Sequence, residues 1–127
     1  MAEDETEVEL QETGEIELPK IDVSKYIGKK AKIELVTEHK GAFGYYIKVA
    51  TEIIETITGG KTPIQLRASR LFSLYEDEHG KIGWGKDTKL GMFLKKTGAK
   101  HYKNLVGKEV IVQSQTNNNG VDFLTFN

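Results

Sequence analysis

Residues 29–50 carry the sequence KKAKIELVTEHKGAFGYYIKVA, in which two strand patterns flank a segment with two glycines. The apolar residues of 31–35 alternate with charged ones, and this period of two predicts a strand over 29–38 with one buried face. The two glycines and the lack of an apolar period in 38–44 predict a hairpin loop. A second strand is predicted at 45–57. The folded part therefore starts with two strands in antiparallel order.

The chain downstream contains one helical pattern among several strand patterns. Leu90, Phe93 and Leu94 recur at helical spacing, and Gly98 follows as a helix-ending residue. Asn119 and Gly120 are typical of a tight hairpin turn. The predicted elements are a third strand over 64–75 with a bulge near 68–70, a short strand within 81–85, a helix over 88–97, and strands at 108–115 and 121–126.

The predicted order is strand, strand, strand, helix, strand, strand, which makes the chain mainly β. This order resembles the OB-fold, a five-stranded Greek-key barrel with a helix between its third and fourth strands. The sequences WGKDTKLGMFLKKTG at 84–98 and LVGKEVIV at 105–112 resemble the helix-then-strand half of small OB-like proteins of phages and archaea. The resemblance covers roughly 29–126. It implies binding of single-stranded nucleic acid, with DNA favoured over RNA.

The charges of the chain are strongly segregated. Residues 1–18 hold eight of the 19 acidic residues and no Lys or Arg, whereas the other 109 residues hold all 18 Lys and Arg against eleven acids, a formal charge of +7. A segment with so much like charge and so few large apolar groups does not bury enough surface to fold. We therefore predict a disordered acidic tail over 1–19, ending at Pro19, and one domain over 20–127.

Composition excludes several classes of site. The chain has no cysteine, so thiolate metal sites, disulfides and cysteine nucleophiles are absent. The segment Gly59-Gly60-Lys61-Thr62 lacks the first glycine of a phosphate-binding P-loop. The three histidines lie far apart in sequence, without metal-ligand spacing. We expect no metal, cofactor or catalytic constellation. No apolar run reaches the length of a membrane span, so a cytoplasmic protein is expected.

The ligand face of an OB-fold is formed by strands two and three and the loops beside them. On this sequence, the residues that would carry binding of a single strand are rings for base stacking and cations for phosphates. They are Tyr46 and Lys48 of strand two, Arg67 and Arg70 of strand three, Lys40 and Phe43 of the first hairpin loop, and Trp84. Asn117–Asn119 would border the same face.

Other readings of these residues remain open. Tyr45 and Tyr46 are adjacent in a strand, so one of them must face outward, while Phe72, Phe93 and Phe123 are expected in the core. Trp84 is either an exposed stacking platform or a cap on the open end of the barrel. Individual lysines are typical of a solvated surface, and only their collective surplus favours a polyanion.

The sequence also leaves alternatives for function. The leading prediction is a non-enzymatic module that binds single-stranded nucleic acid, and the acidic tail is either a competitor for the same groove, a partner-binding arm, or a solubilising extension. The second is a structural or adaptor domain that binds a protein through a barrel edge or the tail. The third is an enzyme in which a barrel mouth gathers His39, His79 or His101 with an acid.

Overall fold

The computed structural model describes residues 7–15 and 22–127, and it is mainly β, with 42% strand and one α-helix. Two short 3₁₀ helices, Val23–Tyr26 and Tyr102–Leu105, complete the regular structure of the described residues. The α-helix is α1, Lys89–Thr97. The strands are β1 (Lys30–Gly41), β2 (Gly44–Thr51), β3 (Glu55–Ile57), β4 (Ile64–Leu66), β5 (Ser69–Ser73), β6 (Tyr75–Glu76), β7 (Ile82–Gly83), β8 (Glu109–Thr116) and β9 (Asp122–Phe126).

Five of these strands form one antiparallel sheet in the order β5-β2-β1-β8-β9. The long strand β1 lies at the centre because its first residues pair with β8 and its later residues pair with β2. β3–β4 and β6–β7 form two small separate hairpins. Within the described chain, no hydrogen-bonded ladder joins the two end strands, β5 and β9.

The first hairpin is longer and tighter than the sequence predicted. β1 continues to Gly41, through most of the segment expected to be a loop, and only Ala42 and Phe43 separate it from β2. Gly44 adopts a φ of +121°, a conformation that residues with a side chain rarely adopt, so the chain can reverse in two residues. The hairpin therefore carries Phe43 at its tip.

The prediction of one second strand over 45–57 and one third strand over 64–75 was too long. β2 ends at Thr51, where the backbone N–H of Glu52 turns to donate to the carbonyl of Lys32 at 2.8 Å. Residues 55–57 instead pair with 64–66. The third strand is interrupted at Arg67 and Ala68, next to the predicted bulge. A register shift that the sequence did not indicate occurs in β1 between Ile33 and Leu35.

The predicted helix is present as α1, and it ends at Gly98 as predicted. The Thr88 hydroxyl accepts from the backbone N–H of Gly91 at 3.2 Å, which satisfies a donor that the first turn leaves free. Gly98 ends α1 with a φ of +78°. The helix buries Leu90, Phe93 and Leu94 against the sheet. The strands predicted at 108–115 and 121–126 are present as β8 and β9, joined by the predicted Asn-Gly turn.

The core lies between the sheet and α1. It contains alternate residues of the central strands together with side chains of the helix and the 3₁₀ turns, among them Tyr26, Ile33, Ile47, Val49, Phe72, Val110, Val112, Leu124 and Phe126. Phe72 and Phe93 are in this core, as expected, with their ring centroids 5.3 Å apart. Phe123, which was also expected there, is 39% exposed.

Part of the predicted acidic tail can be described. Residues 7–15 form no helix or strand, and all of them are exposed. The rest of the tail and its predicted boundary at Pro19 lie outside the described residues. In 7–15 and 22–127, no helix has the length and apolar character that crossing a membrane requires.

Candidate nucleic-acid interface

An open cleft of about 720 Å³ spans the five-stranded sheet near its two end strands. Its walls come from β1, β2 and β5 on one side and from β8 and β9 on the other, with Lys89 of α1 at one end. We call this cavity the cleft. Its lining contains aromatic rings, cations and neutral polar side chains in close proximity.

The rings of the cleft start at β1 and β2. Tyr46 and His39 are directly opposite in the strand register, and their rings stack with centroids 5.1 Å apart and an interplanar angle of 17°. The His39 ring also shares a hydrogen bond of 2.7 Å with the Thr37 hydroxyl. Gly41 leaves room beside Tyr46, since a Cβ at this position would lie 3.2 Å from Tyr46 Cε1. The Tyr46 ring is therefore positioned by its neighbours, which lowers the entropy cost of using it as a stacking platform.

The second ring of the cleft belongs to β9, at the other end of the strand order. Phe123 of β9 is opposite Gln115 of β8, and Thr125 is opposite Gln113, so these four residues share one face. All four line the cleft. The amide side chains of Gln113 and Gln115 can both donate and accept hydrogen bonds. This wall thus combines a partly exposed ring with groups that suit the edges of bases.

Three cations line the cleft: Lys48, Arg70 and Lys89. None of them forms an ion pair within the described part of the chain. No Asp or Glu side chain from 7–15 or 22–127 lines the cleft. No side-chain carboxylate of the cleft walls in the described residues therefore neutralises the positive charge here.

Arg70 reaches the cleft differently from the way the sequence predicted. It is opposite Val49 in the register, so it starts on the buried face of β5 and not on the outer face that Tyr46 and Lys48 share. Its guanidinium lies 4.6 Å from the centroid of Phe72 and 5.6 Å from that of Phe93. Burial lowers the pKa of Arg70, but an arginine remains charged at neutral pH. The positive charge of Arg70 therefore lies against the rings of Phe72 and Phe93 at the wall of the cleft.

The first hairpin adds a smaller pocket of about 340 Å³ beside the cleft, and we call it the hairpin pocket. It shares Tyr46 and Leu71 with the cleft and extends to Phe43 at the hairpin tip. Phe43 is fully exposed, and Leu71 is 63% exposed. Lys40, also predicted as a site residue, lies over the Tyr45 ring at 5.2 Å. Exposed apolar surface thus continues from the cleft to the tip of the hairpin.

Two predicted site residues lie elsewhere. The Arg67 guanidinium donates to the carbonyl of Thr51 at 3.0 Å and is 3.4 Å from a carboxylate oxygen of Glu34, so its charge has a partner within the fold. Trp84 is half-buried and packs edge-on against His101 and Tyr102, with ring centroids 5.0 and 5.5 Å away. It packs against the core and does not line the cleft. The loop residues Asn117–Asn119 do not line it either.

The ring cluster around Trp84 contains one strongly perturbed group. The Tyr102 hydroxyl donates to a carboxylate oxygen of Glu38. Burial, together with the hydrogen bond and the charge of Glu38, raises the pKa of Tyr102 to about 12. Tyr102 therefore stays protonated over the physiological range, and the contact links β1 to the second 3₁₀ turn as a structural tie.

The histidines do not converge. His39 is in the cleft, His101 packs on Trp84, and His79 lies in an exposed turn beside Glu78. In the described part of the chain, no three His, Cys, Asp or Glu residues are grouped so that they could hold a metal ion.

Sequence reasoning missed several residues of the cleft. Lys89 belongs to a helix and Leu71, Gln113, Gln115 and Phe123 belong to strands whose outer faces meet only in the folded sheet. The alternation of β8 indicated that Gln113 and Gln115 face away from Val110 and Val112, but no local signal indicated that this face lies beside β5.

Comparison with known proteins gave no match: no protein-family model, no curated protein and no solved structure matches this chain.

Proposed function

We propose that the sheet closes into a five-stranded barrel of the OB type. In this proposal, β1, β2, β5, β8 and β9 are the first to fifth strands of the OB-fold. An OB barrel opened between its third and fifth strands has the strand order third, second, first, fourth, fifth, which is the observed order β5-β2-β1-β8-β9. α1 lies between the third and fourth of these strands in the chain. Cα atoms of β5 and β9 approach within 8 Å of each other, which supports closure at this seam.

We further propose that the chain is a non-enzymatic module that binds single-stranded nucleic acid, with DNA favoured over RNA. The observation that carries this proposal is the cleft: partly exposed Tyr46 and Phe123 rings lie among three cations that lack carboxylate partners in the described chain. Bases of a single strand are free to stack on such rings, while Lys and Arg follow the phosphates. The position of the cleft on strands β2 and β5 matches the usual ligand face of an OB barrel.

Salt dependence is the first test. If Lys48, Arg70 and Lys89 each neutralise one phosphate, the logarithm of the affinity should fall with the logarithm of salt concentration at a slope of about −2, since each contact with a single strand contributes roughly −0.7. Titration of a fluorescently labelled single strand at several salt concentrations, followed by anisotropy, measures the slope. Absence of binding at low salt would end the proposal.

Substitution in the cleft is the second part of this test. Lys48→Gln should reduce the slope by about 0.7, whereas Lys100→Gln, an exposed lysine outside the cleft, should leave it unchanged. Tyr46→Ala should weaken binding by roughly 1–3 kcal/mol because a stacking platform is lost, and Tyr46→Phe should retain most of the affinity. Equal effects of Lys48→Gln and Lys100→Gln would indicate general charge attraction and no defined site.

A protein-binding adaptor is the second candidate. The fully exposed Phe43 and the 63% exposed Leu71 at the hairpin pocket favour it, because clustered exposed apolar side chains often mark protein interfaces. This function predicts a complex in a pull-down that persists when excess single-stranded oligonucleotide is added. Loss of the complex on adding the oligonucleotide would favour the nucleic-acid reading.

A further inference from the structure

A groove connects the cleft to the point where the N-terminal segment joins the folded part. This groove, of about 440 Å³, lies between the start of β5 and the start of β9, and it shares Ser69 and Phe123 with the cleft. Val23 lines the same groove. The chain therefore enters the domain beside the cleft, at the seam between the two end strands.

The acidic segment is long enough to reach the cleft from this point. Seven residue steps separate Glu15 from Asp22, and an extended chain of that length spans at most about 25 Å. The five residues of β5 extend over roughly 17 Å. Residues 7–15 are thus tethered within reach of the cleft, at a high effective concentration.

The chemistry of the segment complements the cleft. Glu7-Val8-Glu9-Leu10 alternates carboxylates with apolar side chains, and the order Glu-Ile-Glu-Leu recurs at 15–18. In an extended chain, the carboxylates of Glu7 and Glu9 would lie about 7 Å apart on one side, with Val8 and Leu10 on the other. That arrangement matches an extended single strand, in which phosphates follow one side and bases the other. Val8 and Leu10 are 72% and 70% exposed, so these side chains are available for binding.

We infer that the segment containing Glu7–Leu10 occupies the cleft in competition with nucleic acid, with its carboxylates at Lys48, Arg70 and Lys89 and its apolar side chains on the Tyr46 and Phe123 rings. The inference rests on the proposed function, since the segment acts as an internal substitute for the nucleic-acid strand. In the structure, residues 7–15 are exposed and none of them lines the cleft, so the segment binds there in exchange with this open arrangement. Nucleic-acid strands that bind weakly do not displace the segment, whereas nucleic-acid strands that fill the whole cleft do.

The test compares two full-length variants with the same change of charge. Glu7→Gln with Glu9→Gln should tighten binding of a labelled single strand about three- to tenfold at low salt, and the gain should shrink as salt screens the carboxylates. Glu76→Gln with Glu78→Gln is the matched control, because these residues are exposed, have the same spacing and lie outside the cleft. Glu76 lines a cavity with Lys40 and Phe43, so a general charge effect would be at least as large in the control.

A second measurement needs no nucleic acid. Amide chemical shifts of Tyr46, Leu71 and Phe123 in the free protein should differ between the wild type and the Glu7→Gln, Glu9→Gln variant, and not between the wild type and the control. Unchanged shifts together with equal affinities would overturn the competition while leaving the binding function intact. Failure of the wild type and of every variant to bind the oligonucleotide would instead overturn the proposed function. The comparison of amide chemical shifts between the wild type and the variants would then still show whether the acidic segment contacts the cleft.

Discussion

Thr51 is the residue that joins the end of β2 to the start of β5. Its hydroxyl accepts a hydrogen bond from the buried backbone N–H of Ala68 at 3.0 Å and donates to the carbonyl of Glu52 at 3.0 Å. Its own backbone N–H donates to the carbonyl of Ala68 at 2.9 Å. Thr51 is fully buried, so each of these groups depends on a partner within the protein.

Replacing this hydroxyl should be costly although the side-chain shape is kept. Thr51→Val leaves the Ala68 N–H without an acceptor, and we expect the free energy of unfolding to fall by about 1–3 kcal/mol. Thr51→Ser keeps the acceptor and should lose less. Urea denaturation of both variants measures the difference, and equal stability of the two would show that the hydroxyl contributes nothing beyond its volume.

For single residues, strand alternation predicted which face a side chain takes, but the sequence did not predict the partners of that side chain. Tyr46 and Lys48 were expected on an outward face because of strand alternation, and the register places them there. Arg67 was expected to be available, but its partner Glu34 lies 33 positions away on another strand, a contact that no local pattern indicates. Trp84 had two open readings, and its packing against His101 and Tyr102 agrees better with the structural one.

Helix α1 shows how packing overrides propensity at the scale of one element. Gly91 lowers the intrinsic helix preference, since glycine costs about 1 kcal/mol relative to alanine. The structure gives the reason for it: a Cβ at this position would lie 2.2 Å from the carbonyl oxygen of Gly85 and 2.7 Å from the backbone of Lys86. The segment preceding the helix thus passes directly over Gly91.

Gly91→Ala should therefore destabilise the protein, although alanine is the better helix former. The opposing backbone atoms belong to the main chain and not to a flexible side chain, so relief of the clash requires a shift of the segment 85–86. We expect a loss of roughly 1–3 kcal/mol, typical of overpacking. Thermal denaturation tests this, with Met92→Ala, on the exposed side of α1, as the control. A gain in stability would contradict the close approach.

Among the elements, the helix, its end at Gly98 and the last hairpin were predicted well, because each has a local signal in spacing or residue type. Prediction from periodicity failed at the strand boundaries where the chain leaves one neighbouring strand and pairs with another. The boundary at Thr51 is set by hydrogen bonds of Thr51 to Ala68 and of Glu52 to Lys32, both distant in sequence. The segment 52–57 keeps enough apolar residues to continue the strand pattern. The length of β1 was underestimated because glycine at 41 resembles a turn residue but pairs with Gly44.

For the molecule as a whole, the sequence predicted a mainly β chain, and the structure confirms this class with one helix and a five-stranded antiparallel sheet. The cleft could not be predicted in the same way. It is lined by residues of β2, β5, β8 and β9, and no local pattern indicates that these strands share one cleft. Residues such as Lys89 and Phe123 become site candidates only through that geometry.

Binding of a single strand in the cleft can be tested by an amide chemical-shift titration of the full chain with a short single-stranded oligonucleotide at low salt. We predict that the perturbed amides cluster at Tyr46, Lys48, Leu71, Gln113 and Phe123, while those around Trp84 and His101 remain unchanged. Perturbations that centre on Trp84, that spread evenly over the surface, or that do not occur at all would contradict the account.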